Sequence, residues 1–106
     1  MAPGRPQPKW HVMQRLDEAL LQEFAPQGVI RAEFVIAFSE PFGFWAWLGT
    51  ETDAQRDALA SDPTTEQRVC DLASGHGVGP LYKGFTVESQ QTVDREYEGS
   101  WFYRLR

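Results

Sequence analysis

Reactive side chains are few in this chain, and the first that could do chemistry is His76, in the run Ser74-Gly75-His76-Gly77-Val78-Gly79-Pro80. Flanking glycines expose an imidazole, and a position just past a helix C-terminus stabilises its protonated form, so general acid or base work is the functional reading. No Ser, Cys or Asp stands at a recognisable motif spacing to it. Cys70, the single cysteine, lies beside the apolar stripe of its own helical segment, where cysteine behaves as a small hydrophobe; a Cys70–His76 pair is the sharper alternative. The glycines could also cradle a phosphate, but phosphate loops follow a strand and open a helix, and this one does the reverse. His11, beside Trp10, reads as packing or as solvated.

Asp94, Glu96 and Glu98 alternate, so an extended segment would put three carboxylates on one face, able to hold a hard cation. A helical segment leaves only Asp94 and Glu98 together, an ordinary charged surface. No glycine-punctuated ligand loop accompanies them, and neither a metal nor a cofactor is expected.

The third constellation is aromatic. Trp45 and Trp47 stand two apart in FWAWLG, and Phe102 shares one side of SWFYRLR with Arg104 and Arg106. Tryptophan and arginine anchor protein interfaces, whereas the bland reading is a core aromatic pair.

The elements that must position these residues centre on Val29 to Gly49, read as a β-hairpin. Ile30, Ala32, Phe34, Ile36 and Phe38 form one apolar face, with Phe34 and Ile36 expected at the middle of the core. In the second strand Phe44, Ala46 and Leu48 alternate with Trp45 and Trp47, so neither face is polar and both need cover. Val12, Met13, Leu16, Ala19, Leu20 and Phe24 recur at helical spacing before it, ended by Pro26 and Gly28. After it come two short helices: Asp53 to about Ala60, with Thr52 and Gln55 as a capping box, and Thr65 to about Ala73. Leu81 to Glu88 is expected as a third strand, with Lys83 anomalous on its inner face, and Ser100 to Arg106 as a fourth. Between those strands one or two helical turns are favoured, capped by Ser89 and ended by Gly99. The expected fold class is α+β, an antiparallel sheet of about four strands with helices mainly on one face, in the order α-β-β-α-α-β-(α)-β.

The chain has 106 residues, which suits one domain over residues 10–106 after a proline-rich leader, residues 1–9, expected to be disordered. One cysteine excludes an internal disulfide framework, and neither a secretory signal nor a membrane span is legible, so a cytoplasmic location is the default. A net charge of −5 with scattered basic residues argues against nucleic acid as partner. The favoured function is a small acidic protein-binding domain, of inhibitor, immunity or adaptor type or a homodimer, using the aromatic sheet face of Trp45, Trp47, Phe102 and Arg104. The alternative is a small hydrolase-like or ligand-binding enzyme with His76 and one of Asp71, Asp94 or Glu96 in a groove between helices and sheet.

Overall fold

The structure, a computed structural model, describes residues 10–37 and 43–105, without the side chains of Ala37, Phe102 and Tyr103. Residues 1–9, and Phe38 and Phe42 between the hairpin strands, lie outside the described residues. Helix α1 (Trp10–Phe24) is followed by a 3-10 turn over Ala25–Gln27 and by strands β1 (Val29–Ala37) and β2 (Gly43–Thr50). Helices α2 (Asp53–Ser61) and α3 (Thr65–Gly75) lead to β3 (Tyr82–Ser89), and α4 (Gln90–Glu96) and α5 (Trp101–Arg104) complete the chain.

Local chemistry sets most of these boundaries. Gly28, at φ 94°, takes the left-handed conformation that ends the 3-10 turn, donating its N–H to Ala25. The capping box forms as spaced, Gln55 N donating to Thr52 Oγ1 at 3.2 Å and Thr52 N to Gln55 Oε1 at 3.0 Å. Ser89 Oγ accepts from Thr92 N at 3.1 Å to start α4, and past its end the N–H of Gly99 returns to Val93 O at 2.9 Å.

The fold is α+β, but among the described residues the sheet has three strands in the order β1-β2-β3, not four, and is mixed. β1 and β2 are antiparallel, with Phe34 opposite Ala46 and Val35 opposite Trp45, whereas β2 and β3 are parallel. The reason is the connection: two helices lie between β2 and β3, a crossover long enough to carry the chain back to the starting end of the sheet. The expected fourth strand is α5. Packing reverses the local preference here, because Trp101 and Arg104 both reach the same sheet face, which a spacing of three allows in a helix and forbids in a strand.

One cluster of buried residues unites Met13, Leu16, Leu20 and Phe24 of α1, Phe44, Ala46 and Leu48 of β2, Leu59 of α2 and Val69 and Ala73 of α3. β2 is thus the strand at the centre of the core. On edge strand β1, Ala32, Phe34 and Ile36 are only partly buried against that cluster, which moves the core's middle away from Phe34. Ile30 is exposed because a register irregularity between Val29 and Arg31 displaces it. A second irregularity, between Phe44 and Trp45, takes Lys83 off the inner face of β3 and turns Tyr82 inward, its ring edge-on to Phe44 at 5.9 Å.

Phe44→Ala should therefore cost about 3–5 kcal/mol in urea unfolding, and Phe34→Ala less than about half of that, since the Phe34 ring packs on the exposed Trp10. Equal losses at the two positions would contradict this placement of the core.

Candidate binding face

The sheet's second face, opposite the core, carries Trp45 and Trp47 from β2, Arg31, Glu33 and Val35 opposite Gly49, Trp47 and Trp45 on β1, and Gly84, Thr86 and Glu88 from β3. Two glycines let aromatic rings lie close to the backbone. A Cβ on Gly84 would stand 2.2 Å from the Trp45 ring, and one on Gly49 2.8 Å from the Trp101 ring. Trp45 remains 42% exposed while Phe44 and Ala46 on either side of it are fully buried.

α5 covers the other end of this face. Trp101 is buried, its indole N–H donating to Gln90 Oε1 at 2.6 Å and its ring facing the Arg31 guanidinium at 5.1 Å. The Arg104 guanidinium lies 4.6 Å from the Trp47 ring centroid and 5.5 Å from that of Tyr97. Trp47, Arg104 and Trp45 thus lie on one face, Arg104 reaching it from a helix; the Phe102 side chain lies outside the described residues.

Arg104 is held from below by Glu88, whose side chain is only 8% exposed: Arg104 Nε donates to Glu88 Oε2 at 2.6 Å, and Arg56 Nη1 and the Ser89 N–H donate to Oε1 at 3.3 and 2.9 Å. Burial pushes the Glu88 carboxyl up, but these donors, Arg104 first, outweigh it and leave the group below its ordinary pKa. Beside it Asp53 accepts from Ser89 Oγ, from Thr92 Oγ1 at 3.0 Å and from Arg95 Nη1 at 3.0 Å. Hydrogen bonds from Ser89, Thr92 and Arg95 lower the Asp53 pKa to about 2. Each of these carboxylates has guanidinium partners, and the face they border offers planar aromatic and cationic surface.

The histidine site does not assemble. His76 Nδ1 lies 2.8 Å from Leu72 O of its own helix end, and no hydrogen bond or ion pair among the described residues joins it to Asp71, Asp94 or Glu96. Asp71 accepts from Gln67, and Asp94 from Gln90. Burial, then Glu66 and Asp71, raise the Cys70 thiol above its ordinary pKa, away from the thiolate a nucleophile needs. Residues 90–96 are helical, so the alternating carboxylates do not share a face, and among the described residues no group of three or more His, Cys, Asp or Glu could hold a metal ion. Sequence reading missed Glu88, Arg56 and Trp101 as parts of this face. Gly84 inside a strand was the available signal for a ring lying across the backbone.

Glu88→Ala should destabilise the protein by about 3 kcal/mol, because the partly buried Arg104 guanidinium loses its carboxylate partner and Arg56 one of its several acceptors, while Arg95→Ala should cost less than about 1 kcal/mol. The depressed pKa of Asp53 fixes the sign of its acid dependence: its stabilisation is present above the unfolded-state value near 4 and is lost as pH falls toward about 2. Urea midpoints from pH 6 to pH 2 should fall less steeply for Asp53→Asn than for the wild type.

Set beside known proteins, the chain matches no family model, and no curated protein or solved structure matches it at the significance required.

Proposed function

We propose that this chain is a small acidic protein-binding domain whose working surface is the second face of the sheet, and that its occupant is a second copy of the same chain. The observation that carries this reading is Trp45, 42% exposed at the centre of a sheet face beside the arginine-stacked Trp47. Soluble proteins keep large apolar rings exposed in a patch chiefly where another surface binds, and tryptophan with arginine is the composition of interface centres.

A second copy is favoured by charge. The ionic groups on this face cancel locally, Arg31 against Glu33 and Arg104 against Glu88, whereas the molecule as a whole carries −5. Two copies meeting face to face through a two-fold axis juxtapose neutral, planar surfaces and keep their acidic remainders apart. A single free cysteine, with no second one in the sequence to pair with, suits a reducing, cytoplasmic setting. No described helix is long and apolar enough to cross a membrane.

Sedimentation velocity over a concentration series tests the reading. Wild type should self-associate, and Trp45→Gln should weaken that association by about 2 kcal/mol, roughly thirtyfold in Kd, with an unchanged circular dichroism spectrum. A wild type that sediments as a monomer throughout overturns self-association as the use of this face.

A further inference from the structure

Helix α1 contains an acid where its pattern asks for an apolar residue. At 100° per residue Asp17 lies within about 60° of the middle of the stripe formed by Met13, Leu16, Leu20 and Phe24, all fully buried. Its Oδ1 is buried and has no hydrogen-bond partner among the described residues. A carboxyl in that position is costly when ionised and tolerable when protonated.

The charge that bears on it through space is that of another acid, Glu33 of edge strand β1. Glu33 is engaged by Arg31 of the same strand, whose guanidinium is in turn spread over Trp101. On α3, the other helix packed against α1, Arg68 is taken by Glu23 and Gln27, Glu66 by the Tyr82 hydroxyl and Asp71 by Gln67. Arg15 and Glu18, beside Asp17 on α1 itself, are exposed to solvent. Among these described neighbours no base compensates Asp17.

We propose that the buried, unpartnered carboxyl of Asp17 is a proton-operated latch holding α1 on the sheet, closed when it is protonated and loosened when it is charged. Asp17 itself lies on α1, on the core side of the sheet, whereas Glu33 stands on edge strand β1 among the residues of the second face. Burial first, and then the charge on Glu33, raise the Asp17 pKa to about 7. A folded-state pKa raised above the unfolded value gives stabilisation that is complete below about pH 4, is lost progressively as pH rises toward 7, and is absent above it. This window lies above the acid limb set by Asp53 and runs in the opposite direction.

The full chain, wild type and as Asp17→Asn and Glu33→Gln, should be followed by urea unfolding and by amide exchange protection of α1 from pH 4.5 to 8.5. In wild type the urea midpoint and the α1 protection factors should fall as pH rises to about 7 and then level off, protection dropping at least tenfold. Asp17→Asn should show no such fall, and Glu33→Gln should move it to lower pH. Carbon-13 NMR of the Asp17 carboxyl reads the titration directly, without relying on any variant folding. A carboxyl titrating near 4, or an Asp17→Asn profile that parallels wild type, overturns the latch; neither outcome bears on self-association through Trp45.

Discussion

The molecule is organised by one strand that cannot face water on either side. β2 presents Phe44, Ala46 and Leu48 in one direction and Trp45 and Trp47 in the other, and it lies between β1 and β3, so its backbone is hydrogen-bonded on both edges. The first face is closed by α1, α2 and α3, which contribute Leu16, Leu20, Leu59, Val69 and Ala73 to one core. The second face is closed only in part, by a four-residue helix that brings one buried tryptophan and one arginine. The difference between a complete and an incomplete cover is what distinguishes scaffold from candidate binding surface in this protein.

The incomplete cover is held by charge as well as by the buried Trp101 ring. Glu88 receives Arg56 from α2 and Arg104 from α5, and Asp53 receives Ser89, Thr92 and Arg95, so α2, the end of β3, α4 and α5 meet in one polar network. The network sits at the C-terminal ends of the parallel pair β2 and β3, where α/β sheets commonly bind ligands. Here the chain's own side chains fill that position. Buried ion pairs add little net stability over apolar packing, but removing one partner is costly, and the Arg104–Glu88 pair ties α5 to the end of β3 where Arg104 lies over Trp47.

Asp17 and Glu88 show how neighbours decide the behaviour of a carboxyl withdrawn from water. Glu88 is surrounded by donors and stays ionised below its ordinary pKa; Asp17 meets an unpaired environment and a second acid, and is driven up to about 7. The two respond to pH in opposite senses, one joining elements and the other opposing them.

Elements governed by neighbours in sequence were legible from the residues alone. The stripe of α1, the Thr52–Gln55 capping box, the Ser89 cap, the glycine stop at Gly99 and the two faces of β2 all depend on contacts within a few positions. Trp45 and Trp47 share one surface by period two alone, whereas Arg104, expected there on a strand beside Phe102, reaches Trp47 from a helix. What the residues could not settle depended on partners far away in the chain. The parallel pairing of β3 followed from the path of a two-helix crossover, and Lys83 and Ile30 left the inner face through register irregularities between strands. SWFYRLR alternates as a strand does, yet it is helical, because Trp101 lies over Gly49 and Arg104 over Trp47 and Glu88, contacts spanning 16 to 57 positions that a strand could not make on one side. Asp17 likewise reads as one more polar residue of an amphipathic helix until α1 is laid against β1. Local pattern decides which residues face one another within an element; only the packed structure decides which element lies opposite, and that is where charges and rings acquire their partners.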